Sequence, residues 1–408
     1  MRRIAIVSQS GSRNRGCEAL VYSALLGLRA LPEFSGVAID LHSLDCEYDK
    51  WRFRNQCSYV FATSLKFRAL HTRFLTLNKL IYRAAALAEN CLLSSQSHRK
   101  DFSSCLAADM ILCTGGDNFS VDYGAFHSHA AYLNLGVPVF MCGQSIGPFP
   151  KREENYFKNS TNNVRLITAR ESHSYEYMKS LNLSSRVEQT ADVAFLLPVM
   201  SRDETLDYAQ RFFNVNLAGH KLAGLSASAL ITKYYKYGHE EGIKQIAHFV
   251  DRLNERGYGV VFIPHVSERR INNDDQAICA DVLRQTKDPA ANISMSGLFS
   301  CVEAKSIVGL CDVLIGARTH TTIASMSQGI PTVAIAYSRK AYGIMEDYYG
   351  LELSKKLIVP ADQVFTERLL EATDAALASG RHDETAQRMK TLAAKNFSLL
   401  AETFPTRP

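Results

Sequence analysis

Between Val313 and Gly343 the chain reads VLIGARTHTTIASMSQGIPTVAIAYSRKAYG, and few folds accommodate that pattern. One apolar run of strand length ends at Gly316, and a second spans Thr332 to Tyr337. Runs that are apolar at every position read as strands buried on both faces, as in a parallel sheet covered by helices. Ala324, Ser325 and Ser327 let the intervening helix pack closely on the sheet, and Gln328-Gly329-Ile330-Pro331 ends it. Arg318 and His320 follow the first strand, and Arg339 and Lys340 follow the second. In open α/β sheets ligands sit beyond the carboxyl ends of strands, where helix N-termini favour anions. Cationic and protonatable side chains at those ends point to a small, strongly anionic substrate.

The alternation runs through the whole chain. Strands are expected at Arg3–Ser8, Ala38–Leu44, Met110–Cys113, Pro138–Cys142 and Leu166–Ala169, with helices at Cys17–Leu31 and Phe67–Leu93. After a polar helix over Ser201–Asn214 the pattern restarts, with strands at Lys221–Ser226, Gly259–Pro264 and Ile293–Met295. Helices are expected between them at Glu240–Arg256, Asn273–Gln285 and Cys301–Leu310. The expected fold class is α/β: two Rossmann-like domains in a GT-B-like arrangement with a cleft between them, and a C-terminal helical segment. The boundaries fall at 1–200, 215–360 and 361–408, since 408 residues exceed one ordinary core.

The ten cysteines are scattered without a C-x-x-C pair, and Cys113 and Cys142 lie inside apolar runs, which suits buried thiols in a reducing cytoplasm. MRRIAIVSQSGS is too briefly apolar for a signal peptide and reads as the first strand. No segment is apolar for the length of a membrane span. The formal charge of +5 is uneven: Lys50 to Lys100 holds ten Lys or Arg against the single acid Glu89, which leaves the remainder at about −4. Aromatics such as Trp51, Phe53, Tyr59 and Phe61 interleave with these cations. The insertion therefore suits an anionic membrane surface or an anionic acceptor, whereas no motif supports nucleic acid.

Other motifs stand where strands end. GSRNRGCEALVYSALLGL begins with a turn (Gly11, Asn14, Gly16) leading into a helix that carries Glu18, a candidate contact for an acceptor hydroxyl. It is not a dinucleotide fingerprint. In CTGGDNFSVDYG, Gly115 and Gly116 let a group approach the backbone, and Asp117 with Asn118 adds acceptor and donor atoms. GQSIGPF is read as a similar loop with Gln144 and Ser145 on one edge. Arg170 ends a strand, where its guanidinium could fork onto carboxylate or phosphate. Asp192 precedes an apolar run taken as a strand. Asp122, Tyr123, His127 and His129 fit no metal motif, so no metal is expected.

Together these residues resemble the polysaccharide pyruvyl transferase family. The resemblance rests on G-x-x-N-x-G followed by an acid (Gly11, Asn14, Gly16, Glu18), TGGDNF, GQSIGPF, Arg170-Glu171, ADVAFLL, and IGARTHTTIASMSQGIP-x-x-x-I-x-Y with Lys340. It departs from the family at Cys17, where an aspartate is frequent, and at Thr319, where an apolar residue is frequent. The resemblance implies a pyruvyl group moved from phosphoenolpyruvate onto a sugar, commonly as a cyclic ketal. The acceptor, a cell-surface or exopolysaccharide precursor on a lipid or nucleotide carrier, falls to the N-terminal domain, and the donor to the C-terminal one. A cytoplasmic protein, peripheral on the inner face of the membrane, would meet such an acceptor.

Phosphoenolpyruvate carries about three negative charges, so several cations should surround it. Arg170, Arg318 and Lys340 are assigned to these anions, His320 to the phosphate or to protonating the vinyl carbon, and Asp117 to the base or to binding the acceptor. Asn14, Glu18, Gly115, Gly116, Asn118, Gln144 and Ser145 complete the expected contacts. No cofactor or metal enters the scheme. Two rival readings share the architecture: a glycosyltransferase using a nucleotide sugar, and a non-catalytic scaffold in polysaccharide assembly.

Overall fold

A computed structural model of the chain describes residues 2–62, 84, 101–120, 126–228, 238–267, 274–337 and 339–404. The helices expected over Phe67–Leu93 and most of the basic insertion lie outside the described residues.

Two parallel sheets organise the molecule. The first is built from β1 (Arg3–Gln9), β2 (Ala38–Ser43), β3 (Tyr59–Ala62), β4 (Met110–Cys113), β5 (Gly116–Phe119), β6 (Val139–Ile146), β7 (Val164–Ala169) and β8 (Arg186–Gln189). Its order is β3-β2-β1-β4-β6-β7-β8, with β5 also paired to β6. The second holds β9 (Leu222–Ser226), β10 (Gly259–Phe262), β11 (Asn292–Ser294), β12 (Val313–Gly316), β13 (Thr332–Ala336) and β14 (Ile358–Pro360), in the order β11-β10-β9-β12-β13-β14. That is the doubly wound Rossmann order, and the direction of winding reverses between β9 and β12, as it does between β1 and β4 in the first sheet. At the second reversal Gly316 lies opposite Ser226. The expected α/β class with two Rossmann-like sheets is therefore the observed one.

The apolar runs become strands because both faces are covered. Ile4, Ala5, Ile6 and Val7 are fully buried, as are Val313, Leu314 and Ile315. Each such aliphatic side chain contributes about 1.5–3 kcal/mol on leaving water. Polar helices are held differently. The 202–213 helix starts at Ser201, whose hydroxyl accepts from the Glu204 N–H while Glu204 reaches back to the Ser201 N–H, and it stops at Asn214 in the left-handed region.

Three expectations are corrected. GQSIGPF is not a loop: β6 runs on through Ile146, with register shifts on its β7 side that absorb Gly143 at φ +55°. Gly116–Phe119 likewise pairs with β6 as a strand. The run after Asp192 is a 3-10 turn, Val193–Leu196, rather than a strand. The edge strands β3 and β8 escape a reading by apolar runs: Tyr59 is exposed, and β8 carries Arg186, Glu188 and Gln189.

By its internal contacts the chain divides into two compact units. The first comprises Met1–Ser12, Leu20–Val193 and Thr391–Pro408, and the second Arg13–Ala19 and Ala194–Lys390. These units depart from the expected boundaries, and two of the departures have local causes. Arg13–Ala19 joins the second unit because its backbone pairs with the segment after β10: the Arg15 N–H donates to the His265 carbonyl (2.9 Å), and the Ser267 N–H to the Arg13 carbonyl (3.0 Å). The C-terminal segment from Thr391 joins the first unit through buried Asn396. Its Oδ1 accepts from Thr190 Oγ1 (3.1 Å), and its Nδ2 donates to the Ala191 carbonyl (2.9 Å).

Candidate functional site

In the first unit the strand tips carry Asp117, Gln144, Ser145 and Arg170, and the structure brings them together. Arg170 follows β7 with a fully buried guanidinium. Its Nε donates to Ser145 Oγ (2.8 Å), Nη1 to Asp192 Oδ2 (2.7 Å) and Nη2 to Asp117 Oδ1 (2.5 Å). Two carboxylates thus face one cation. Such an arrangement directs Arg170 to holding the loop. The neighbouring polar groups also serve the loop. Asn118 Nδ2 donates to the Thr114 and Gly115 carbonyls (3.1 and 3.3 Å), and Gln144 Nε2 donates to the Thr114 carbonyl (2.7 Å). A Cβ on Gly115 would meet the Gly143 carbonyl oxygen at 2.7 Å, so what approaches that glycine is the β6 backbone. Gly116 sits beside it at φ +101°. Glu171 does what a helix start requires, accepting from the Ser174 N–H (2.9 Å).

In the second unit the tip of β12 delivers Arg318 at the N-cap of the 319–326 helix. Its guanidinium forks onto Asp275, with Nε to Oδ2 at 3.1 Å and Nη2 to Oδ1 at 2.7 Å. Asp275 Oδ2 also accepts the backbone N–H groups of His265 (3.2 Å) and Val266 (2.9 Å). One buried carboxylate therefore sets both the arginine and the chain beyond β10. Against that chain lies the Arg13–Ala19 strap, in which Asn14 forms an antiparallel bridge with Val266. Asn14 Oδ1 accepts from the Gly16 N–H (3.0 Å), so its side chain shapes the strap's turn. A Cβ on Gly16 would collide with the His320 ring, and a glycine is what lets that imidazole lie across the strap.

The strap also brings charge. Arg15 is completely buried, with its guanidinium 5.0 Å from the centre of the Phe299 ring and 4.0 Å from Glu18. Glu18 Oε2 accepts the Cys301 N–H at the start of the 301–308 helix (3.1 Å). Glu18 and Asn14 were assigned to the acceptor side with the N-terminal domain. The structure puts both in the second unit, because the strap that carries them pairs there. Lys340 begins the 339–349 helix one strand over, buried, with Nζ 5.3 Å from the Tyr337 ring centre.

Four groups in this unit went unassigned in the sequence: Arg15, His265, Asp275 and Lys305. His265, His320, Thr321, Cys301 and Lys305 line one narrow cavity with aliphatic neighbours. Burial, and then the His320, Arg318 and Arg15 charges, hold His265 well below the ordinary histidine range, so its imidazole is neutral. Lys305 Nζ donates to the Leu197 carbonyl (2.6 Å), and burial, with Lys390 adding to it, brings its pKa down to about 7. His265 carried a signal, since it stands directly beyond an apolar strand. Asp275 did not, because an acid at a helix start is ordinary capping chemistry. Among the described residues no three His, Cys, Asp or Glu are placed to hold a metal ion, and no helix is long and apolar enough to cross a membrane.

Comparison with known proteins agrees with this geometry. The family model for polysaccharide pyruvyl transferases matches residues 14–339. The amylovoran biosynthesis protein AmsJ of Erwinia amylovora is 30% identical over 251 residues, which span 58% of this chain and 59% of that protein, less than two thirds of its length. Among solved structures, UDP-GlcNAc 2-epimerase from Neisseria meningitidis, bound to UDP-GlcNAc, superposes with a TM-score of 0.57 at 11% identity, covering 99% of both chains. The epimerase from Methanocaldococcus jannaschii gives 0.57 at 10%, over 98% of this chain and 99% of that one. E. coli ADP-heptose LPS heptosyltransferase II gives 0.50 at 13%, over 93% and 99%. At these identities the likeness concerns the fold, which is GT-B-like.

Proposed function

Because the chain belongs to the polysaccharide pyruvyl transferase family, we propose that it moves the pyruvyl group of phosphoenolpyruvate onto a sugar of a cell-surface or exopolysaccharide precursor. The product is a pyruvate ketal, and phosphate is released. One observation supports the reading: at the winding reversal of the second sheet, Asp275 fixes the Arg318 guanidinium near buried Arg15 and His265 and half-buried His320. A guanidinium is a strong donor to carboxylate or phosphate oxygens. Positive groups fixed in place before the substrate arrives stabilise charge that develops on the departing phosphate.

In this reading Arg318, with Lys340 as support, binds the donor anions, and His320 delivers a proton to the vinyl carbon. Arg and His carry the charge stabilisation. Arg170 is moved from donor binding to holding the first unit's loop, where Asp117 remains an acceptor contact. The acceptor is a lipid-linked or nucleotide-linked sugar, and the basic insertion favours a cytoplasmic protein peripheral to an anionic membrane face.

The test is direct. Purified protein given phosphoenolpyruvate and a panel of lipid-linked and nucleotide-linked sugars should release phosphate and add a pyruvyl mass to one of them. Arg318→Ala and His320→Ala should each abolish both signals, and phosphate release that survives both changes sinks the assignment. A thermal shift with nucleotide sugars and none with phosphoenolpyruvate would favour a glycosyltransferase instead.

A further inference from the structure

We propose that His265 is the base of this site, receiving the proton of the attacking sugar hydroxyl while His320 serves as the acid; this rests on the pyruvyl-transfer reading above. Several independent features converge on it. The His265 side chain is almost wholly buried, with 5% of the residue exposed, yet neither ring nitrogen has a hydrogen-bond partner among the described residues. A buried polar atom left unsatisfied costs about 1–3 kcal/mol. Two on one ring are costly for a residue without a ligand, and a ligand that satisfies them removes the cost.

The backbone keeps that ring in place. The His265 N–H donates to Asp275 Oδ2 (3.2 Å), and its carbonyl accepts from the Arg15 N–H (2.9 Å). The same carboxylate grips Arg318, so the imidazole and the donor-binding guanidinium share one anchor. The cavity next to the ring, shared with His320, has free space for about one water-sized group. That is the size of a single hydroxyl. A neutral imidazole offers one N–H donor and one lone pair, the complement of a hydroxyl and a poor match for phosphate, which only accepts.

The electrostatics fit the division of labour. Arg15 from the strap, Arg318 and His320 beyond β12, and Lys305 and Cys301 from the 301–308 helix surround the cavity or its rim. Burial first, and then the Arg and His320 charges, keep His265 neutral in the free protein. Phosphoenolpyruvate among these cations would offset them and restore the basicity of His265 in the complex.

The proton balance closes. The first hydroxyl oxygen bonds to C2 as C3 gains a proton. The second hydroxyl oxygen then bonds to C2 as the C2–O bond to phosphorus breaks, its electron pair leaving with phosphate. Of the two hydroxyl protons, one ends in the new methyl group and the other on phosphate. His265 takes the first from the hydroxyl, His320 gives one to C3, and passage of the proton from His265 to His320 resets the pair without any outside reagent.

The experiment compares wild type, His265→Gln and His265→Ala in phosphoenolpyruvate-dependent transfer, with calorimetric binding of phosphoenolpyruvate alongside. Expected are a kcat lowered by about 10²–10⁴-fold in both variants, a Kd for phosphoenolpyruvate within about threefold of wild type, loss of the acid limb of the kcat profile, and rescue of His265→Ala by added imidazole. A His265→Gln enzyme with wild-type kcat, or a loss without rescue and with the acid limb intact, overturns the proposal. If the variants fail to fold, nitrogen-15 shifts of the wild-type His265 ring decide: a neutral ring in the free protein that responds to phosphoenolpyruvate upholds it, and an imidazolium there overturns it. Absence of transfer by the wild type with every acceptor overturns the pyruvyl-transfer reading and this inference together, whereas an active wild type with an unimpaired His265→Gln variant overturns this inference alone.

Discussion

Arg170 and Arg318 occupy equivalent places, each just past a parallel strand, and differ in what surrounds them. Arg170 meets two carboxylates, Asp117 and Asp192, with Ser145 taking its Nε. Arg318 meets one, Asp275, and sits near Arg15, His265 and His320. A strand-tip arginine is therefore not in itself an anion site. Where carboxylates outnumber it, the arginine is an internal clamp; where each carboxylate has its own arginine, as Asp275 has Arg318 and Glu18 has Arg15, an incoming anion meets no surplus of negative charge.

The sharpest way to break this contrast is to remove the clamp. Arg170→Met leaves Asp117 and Asp192 facing each other in a buried site, and loss of one partner from a buried pair costs about 3–5 kcal/mol. Chemical denaturation should register that loss, while the folded fraction keeps its affinity for phosphoenolpyruvate. A fall in affinity with unchanged stability would erase the distinction between the two arginines.

Lys305 tests the second unit's excess charge from inside. Its folded pKa of about 7 lies below the unfolded value, so the unfolded chain binds more protons between pH 7 and about 10.5. Wild-type stability should therefore rise with pH across that window, and the penalty is complete below pH 7. At about 1.4 kcal/mol per unit the penalty is about 5 kcal/mol, and loss of the bond to the Leu197 carbonyl returns about 1–3 kcal/mol of cost. Lys305→Met should gain about 2–4 kcal/mol near pH 6, with the gain shrinking toward pH 10 in thermal melts.

Arg318→Lys keeps the charge and loses the fork onto Asp275 that orients it, so calorimetry should show phosphoenolpyruvate binding about 10- to 100-fold weaker. The smallest effect belongs to Asp117→Asn. If Asp117 is clamped by Arg170 and is not the base, kcat should drop by less than about tenfold, well short of the 10²–10⁴ of a lost general base. A larger fall would return the base to the first unit.

Much of the fold was legible because apolar runs buried on both faces announce parallel strands without help from elsewhere. β4 and β12 were placed within a residue for that reason. β3 and β8 were not, since edge strands need no continuous apolar run. At the site, the strand-end positions of Arg318 and His320 were legible. The partners of Arg170, Glu18 and Asn118 were not, because they lie far off or in their own loop: Glu18 meets Cys301, and Asn118 meets Thr114. Composition and spacing carry no sign of such pairings. His265 stands directly beyond an apolar run, but its value depends on what the ring fails to touch, which only the folded structure reveals.

The strap bears on how the protein is made. Arg15 pairs with His265, about 250 residues further along the chain. Contacts this distant in sequence slow folding and lengthen the exposure of unfinished surfaces. A fragment begun at Ala194 would contain every strand of the second sheet and still lack Asn14, Arg15 and Glu18. Supplied as a separate peptide, residues 1–19 should bind that fragment and complete the second unit.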